Sequence, residues 1–131
     1  MAKKEGVLSV TDVVFTLAPR INAAGRIKSG NKAVELLLTD TLEAAQKIGK
    51  EINEYNTERR ALDKEITEQA LSQIKNDEWL LGANSTVVFN ENWHKGVVGI
   101  VASRLIETYY RPTIVLTESN GQAVGSARSV K

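Results

Sequence analysis

Apolar residues recur between residues 40 and 76 at the spacing of one face of an α-helix. No proline interrupts this stretch, and the intervals are three, four and seven residues. The apolar stripe consists of Leu42, Ala45, Ile48, Ile52, Tyr55, Leu62, Ile66, Ala70 and Ile74. This period predicts one continuous helix, and Asp40 followed by Glu43 predicts a capping-box-like start. At about 1.5 Å per residue the helix would be about 50 Å long, so we expect it to connect two bodies.

The region before this helix has a weaker pattern. Residues 7–16 are apolar and β-branched, and they fit either a short strand or the start of a buried helix, because so short a run has no decisive period. Residues 18–30 are predicted to form a basic loop with special backbone angles. The residues there that break regular structure are Pro19, Asn22, Gly25, Ser29 and Gly30. Asn31 is then expected to cap a short helix through residues 33–38.

After Gly82, short apolar runs surround one helical pattern. The pattern predicts a buried strand over Thr86–Phe89, a largely buried helix over residues 96–110, and further strands over residues 113–116 and 122–126. A β-α-β unit of this kind indicates a small α/β domain. The predicted fold class is therefore α/β, with a basic loop and short helix, one long connecting helix, and a partial β-α-β domain with a small sheet. Since the chain ends soon after the third strand begins, we expect that domain to be truncated.

Composition excludes several classes of function. The chain has 131 residues, of which 42% are apolar and 25% charged, as in ordinary globular proteins. It contains no cysteine, which excludes disulfides, thiolate catalysis and cysteine-bound zinc. No apolar run is long enough to span a bilayer, and the first residues do not resemble a signal peptide. We therefore expect a cytoplasmic protein with no membrane partner.

The formal net charge of +1 hides an uneven distribution. Residues 40–78 carry ten acids and six bases, a balance of −4, which leaves six acids and eleven bases, or +5, for the rest. No acid occurs in residues 13–34, which include Arg20, Arg26, Lys28 and Lys32. This split fits a surface for nucleic acid, although chance clustering in polar loops explains it equally well.

Hydrolysis of phosphodiesters by two metal ions requires several Asp or His ligands close together. His94 is the single histidine of the sequence. The four aspartates, Asp12, Asp40, Asp63 and Asp77, are isolated along the chain, and the last three are expected to face solvent on or near the long helix. The sequence therefore predicts neither catalytic nor metal-binding residues in this segment.

Three segments carry side chains suited to phosphate or nucleic acid. Residues 17–26 combine small residues with two arginines that can form bidentate contacts. Residues 93–100 place an aromatic and polar cluster before a helix N-terminus, which is a natural site for anions. Residues 125–129 combine hydroxyls, backbone amides and a guanidinium at a strand end, a suitable set for a terminal phosphate. Each segment also has a structural interpretation: arginines over helix ends, a capping histidine beside a core tryptophan, and serines bonded to backbone.

In this order, the three segments resemble the RecJ family of single-stranded-DNA-specific exonucleases, in the DHH phosphoesterase superfamily. APRINAAGR at residues 18–26 is similar to the family's segment that leaves the catalytic domain. WHKGVVGIVASRL at residues 93–105, followed by Arg111 and Pro112, is similar to the start of its DHH-associated domain. GSARS at residues 125–129 resembles that domain's Gly-Ser-Gly-Arg-Ser motif, with Ala127 at the middle position.

The resemblance implies an enzyme that degrades single-stranded DNA from its 5′ end with Mn²⁺ or Mg²⁺, in recombination and repair. The family's Asp-His-His motif would precede this segment and its Gly-Gly-His motif would follow it, so the segment alone is expected to be inactive. The side chains implied to hold the 5′ phosphate are Ser126, Arg128 and Ser129. The side chains implied to contact the strand are Arg20, Asn22, Arg26, Trp93, His94 and Arg104, with Trp93 either stacked on a base or buried in the core.

The resemblance also implies a division of the chain. Residues 1–39 would be the end of the catalytic domain, residues 40–78 the connecting helix, and residues 79–131 a truncated DHH-associated domain, with single-stranded DNA running between the two domains. The partners would be single-stranded DNA and the missing catalytic domain of the same protein. Two alternatives stay open: a segment of a smaller DHH-type phosphatase for oligonucleotides or nucleoside bisphosphates, and a non-enzymatic module that binds a protein through its amphipathic helix.

Overall fold

Six α-helices, one π-helical segment and three strands make up residues 6–131, the part of the chain that this computed structural model describes. In chain order they are α1 (Val10–Asp12), the π-helical segment (Val13–Leu17), α2 (Ala18–Ile27), α3 (Asn31–Leu38), α4 (Leu42–Asn76), α5 (Glu78–Gly82), β1 (Thr86–Phe89), α6 (Val98–Tyr109), β2 (Thr113–Ser119) and β3 (Gln122–Arg128). The chain divides into two compact units, Met1–Arg60 and Ala61–Lys131, and the division falls within α4. The α/β class is confirmed.

The first turns are helical and exposed, so neither a strand nor a buried helix start is correct there. Ser9 caps α1, because its side chain accepts from the Asp12 amide while the Asp12 carboxylate accepts from the Ser9 amide. Val10 and Phe15 are 81% and 75% exposed. The apolar character of this stretch therefore does not reflect a core within this unit.

The basic loop predicted for residues 18–30 is wrong, because residues 18–27 form α2. Pro19 lies in the first turn of α2, where a missing N–H removes no intrahelical hydrogen bond. Ala23, Ala24 and Ile27 are buried. Composition indicated a loop because it counts helix-breaking residues without regard to their position in the helix.

The long helix is confirmed as α4, whose 35 residues run without interruption. Its first turn is capped by Thr41, whose Oγ1 accepts from the Ala44 amide at 3.3 Å, rather than by Asp40. Similarly, α3 begins at Asn31 itself, after Gly30 as its N-cap. The apolar stripe of α4 contributes to both units. Its buried members are Ile48, Ile52, Ile66, Ala70 and Ile74.

The predicted β-α-β unit is confirmed in the second compact unit. β1 and β2 are parallel, β2 and β3 are antiparallel, and the strand order is β1-β2-β3. Asn120 and Gly121 join β2 to β3 with φ of 56° and 75°, the left-handed conformation that tight hairpins require. Val115 of β2 and Leu105 of α6 are fully buried. The sheet and α6 thus set the position of the polar end of β3.

Arg111 joins α5 to the sheet. Its Nη2 donates to the Leu80 carbonyl at 2.6 Å, its Nη1 to the Leu81 carbonyl at 3.0 Å, and its Nε to Thr86 Oγ1 at 2.7 Å. Carbonyls at the end of a helix lack intrahelical partners, so a guanidinium stabilises them. The predicted helix end at Arg111 is therefore also a structural cross-link.

Candidate phosphate and nucleic-acid site

Ser126 and Arg128 lie two residues apart on β3, so their side chains share one face of the strand. Arg128 Nη1 donates to Ser126 Oγ at 2.9 Å and to the Ala127 carbonyl at 2.8 Å. Both acceptors are uncharged, so neither contact neutralises the guanidinium. Ser129 Oγ donates to the Val130 carbonyl at 3.1 Å, as the structural interpretation of this segment expects.

The first turn of α6 faces this pair. A Cβ atom built on Gly99 would lie 3.2 Å from Ser126 Oγ and 3.4 Å from Arg128 Nη2. The start of a helix carries partial positive charge, which favours anions. The fold therefore brings a hydroxyl, a guanidinium and a helix N-terminus together, although α6 and β3 are separated along the chain.

Gly125 holds β3 against β2. It pairs with Leu116, and a Cβ at this position would collide with the Val115 carbonyl oxygen and lie 2.7 Å from Leu116 Cδ2. The close backbone approach in this segment thus occurs at Gly125. Ala127 is exposed opposite Ile114, where its methyl group is accommodated.

Trp93 is a core residue, as the second of its two predicted roles expects. Its side chain is 4% exposed, and its Nε1 donates to Gln69 Oε1 at 2.7 Å. His94 is partly buried, and its Nδ1 accepts from the Gly96 amide at 3.1 Å. These contacts match the interpretation as a capping histidine beside a core tryptophan.

Arg104 is paired with Asp63. Nε and Nη2 of Arg104 donate to Oδ1 and Oδ2 of Asp63, each at 2.7 Å. The expectation that Asp63 faces solvent is wrong, since its side chain is 5% exposed. The hydrogen bonds to Asp63, and secondarily its negative charge, raise the pKa of Arg104 above its usual value. No local sequence pattern reveals this pair, because its members are 41 residues apart.

The first compact unit contains the other residues predicted to contact single-stranded DNA, and all of them lie on α2. Arg20 donates from Nε to Asn53 Oδ1 at 3.1 Å and lines a cavity of about 680 Å³ with largely apolar walls. Asn22 and Arg26 are exposed. Because they are four residues apart, they share one face of the helix. α2 therefore directs Arg20 towards α4, and presents the other two to solvent.

Residues 6–131 contain neither a metal-binding cluster nor a membrane-spanning helix. No group of three or more His, Cys, Asp or Glu side chains lies close enough together to hold a metal ion. The residues present therefore do not form a metal centre. No helix in the same range is both long and apolar enough to cross a membrane.

No protein-family model matches this chain. Several curated proteins that share the name RecJ are similar to it. The single-stranded-DNA-specific exonuclease RecJ of Bacillus subtilis is 41% identical over 121 residues, which cover 91% of this chain and 15% of the relative. The RecJ of Escherichia coli is 33% identical over 127 residues, covering 95% of this chain and 22% of the relative.

Solved structures agree in fold with this chain. RecJ from Thermus thermophilus in complex with Mg²⁺ has a TM-score of 0.78 at 36% identity, over 92% of this chain and 18% of that one. Exonuclease RecJ bound to manganese has a TM-score of 0.80 at 35% identity, over 94% of this chain and 30% of that one. The chain belongs to the RecJ family. It spans 15–22% of the length of the curated RecJ proteins.

In this RecJ-family chain the predicted site residues fall into two groups. The group on α2 belongs to the first unit: Arg20, Asn22 and Arg26. The group around α6 and β3 belongs to the second unit: Trp93, His94, Arg104, Ser126, Arg128 and Ser129. Within the second group, Ser126 and Arg128 form a pair at the start of α6, while Trp93 and Arg104 are engaged by α4.

Proposed function

We propose that this chain is the DNA- and 5′-phosphate-holding part of a 5′ to 3′ single-stranded-DNA exonuclease of recombination and repair, acting in the cytoplasm. Relatives named single-stranded-DNA-specific exonuclease are 41% and 33% identical to it, which supports this assignment. In the proposal, the Mn²⁺- or Mg²⁺-dependent centre belongs to the remainder of a DHH-type protein. Residues 1–39 then end the catalytic domain, residues 40–78 connect, and residues 79–131 begin the DHH-associated domain.

The pairing of Ser126 with Arg128 is the observation that carries the proposal. Ser126 Oγ accepts from Arg128 Nη1, so the hydroxyl proton can be donated to a phosphate oxygen. Arg128 has five N–H donors. Only those of Nη1 donate to the two neutral acceptors, Ser126 Oγ and the Ala127 carbonyl. The guanidinium thus retains charge and donors for a terminal phosphate, which carries more negative charge than an internal phosphodiester.

The other residues proposed to contact the DNA strand are Arg20, Asn22, Arg26 and His94. Trp93 and Arg104 are not included. Trp93 is buried, and the Arg104 guanidinium is occupied by a carboxylate that neutralises it. The proposal therefore assigns end recognition to β3, and assigns to α2 and His94 contacts that do not depend on the 5′ end.

The test is fluorescence anisotropy of a short labelled single strand with either a 5′ phosphate or a 5′ hydroxyl, titrated with this chain. We expect the phosphate to tighten binding about tenfold, the equivalent of one hydrogen bond between charged groups. Arg128→Ala should abolish that preference, and Ser126→Ala should reduce it. Arg60→Ala removes an exposed positive charge from α4 and serves as the matched control.

Two results would contradict the proposal. One is equal affinity of the unsubstituted chain for both strands. The other is that Arg128→Ala and Arg60→Ala weaken binding of both DNA strands by the same factor. Arg128 would then contribute only its positive charge and would not recognise the 5′ phosphate.

A further inference from the structure

We infer that Gly99 is a positioning residue for the 5′ phosphate, because the absence of a side chain there lets Ser126 and Arg128 stand where a phosphate can meet both. This inference rests on the proposed function of that pair. α6 then contributes to the selectivity of the site through the small size of Gly99, and not through a hydrogen bond from it.

The distances support a direct steric role. A methyl group at position 99 would lie 3.2 Å from Ser126 Oγ, 3.4 Å from Arg128 Nη2 and 3.6 Å from Ser126 Cβ. The first distance is tighter than ordinary van der Waals contact and the second is at its lower limit, so the Ser126 side chain would have to move by a few tenths of an ångström. Ser126 and Arg128 are also hydrogen-bonded to each other, so displacing one displaces the other.

Pairing with β2 restricts how far β3 can shift to relieve this contact. Gly125 already holds β3 so close to β2 that a Cβ there would collide with Val115. Ser126 is paired in register with the same residue of β2. A methyl group at position 99 therefore acts first on the side chains of Ser126 and Arg128, which are the atoms nearest to it.

Backbone geometry gives no other reason for a glycine here. Gly99 lies inside α6, and among the described glycines only Gly6 and Gly121 have the positive φ that disfavours other residues. Glycine is a poor helix former compared with alanine. The alanine variant should therefore be at least as stable as the natural chain, because the gain in helix propensity offsets the small displacement of the Ser126 side chain.

The experiment compares the natural chain with Gly99→Ala and the bulkier Gly99→Val, using 5′-phosphorylated and 5′-hydroxyl labelled strands. We expect Gly99→Ala to lose most of a roughly tenfold phosphate preference while its melting temperature is unchanged or higher. Gly99→Val should abolish the preference. Gly82→Ala is the control, because a Cβ at Gly82 would meet no atom within 4 Å.

Each alternative outcome has a separate meaning. If the natural chain prefers the phosphate and Gly99→Ala retains the full preference, the inference is overturned and the proposed function stands. If the preference falls only together with the melting temperature, Gly99 is a packing residue and the inference is likewise overturned. If the natural chain shows no preference, the proposed function fails and the inference fails with it.

Discussion

Asp63 and Arg104 are joined by two hydrogen bonds of 2.7 Å each, which link α4 to α6. The Asp63 side chain is 5% exposed, whereas that of Arg104 is 50% exposed. A buried carboxylate depends strongly on such a partner, because it has little access to water. The pair therefore stabilises the second compact unit, and it gives a structural role to Arg104, which the family resemblance implied as a DNA contact.

Removing Arg104 should destabilise the chain. We expect Arg104→Ala to lower the free energy of unfolding by about 2 kcal/mol, below the value for fully buried pairs because half of the arginine is exposed. Lys64→Ala is the matched control, because its pairing with Glu68 at 3.9 Å is on the surface. Urea denaturation measures both, and equal losses would contradict a structural role specific to Arg104.

Gly125 should tolerate no side chain. We expect Gly125→Ala to cost about 2 kcal/mol or more, because the new methyl group overlaps the Val115 carbonyl and forces β3 away from β2. The same change at Gly82 should alter stability by about 0.5 kcal/mol or less. Thermal unfolding followed by circular dichroism compares the two, and a natural melting temperature for Gly125→Ala would rule out the close approach.

Trp93 should depend on Gln69. Replacing Gln69 by Leu leaves the buried indole N–H without its acceptor, so the free energy of unfolding should fall by about 1 kcal/mol. The measurement is urea denaturation followed by tryptophan fluorescence in a Trp79→Phe background, which leaves Trp93 as the single tryptophan. Gln73→Leu is the control. It should have a smaller effect, because the Gln73 side chain donates to the Phe89 carbonyl at an exposed site.

Arg128 should contribute to the salt dependence of strand binding. Each phosphate contact in a single strand contributes about 0.7 to the slope of log affinity against log salt concentration. We expect Arg128→Ala to reduce the slope by about that amount for the 5′-phosphorylated strand. Arg60→Ala should leave it unchanged, and an unaltered slope in both variants would remove Arg128 from the contacts with phosphate.

Local periodicity explains which elements were predicted correctly. The apolar stripe of α4 and the strand, helix and strand of β1, α6 and β2 follow from spacing within a single segment, which is independent of what packs against it. α2 was missed because Pro19 and Gly25 disfavour helices in general, yet Pro19 lies in the first turn where it does no harm.

The sequence by itself determined the α/β class, the continuous helix Leu42–Asn76 and the motifs that connect the chain to RecJ proteins. Only the tertiary structure decided which polar side chains remain available to a ligand. It buried Trp93 against Gln69, paired Arg104 with Asp63, and set Gly99 beside Ser126. The physical reason is separation: these partners are 24 or more residues apart, so their contacts depend on how α4, α6 and β3 pack, and not on any local pattern.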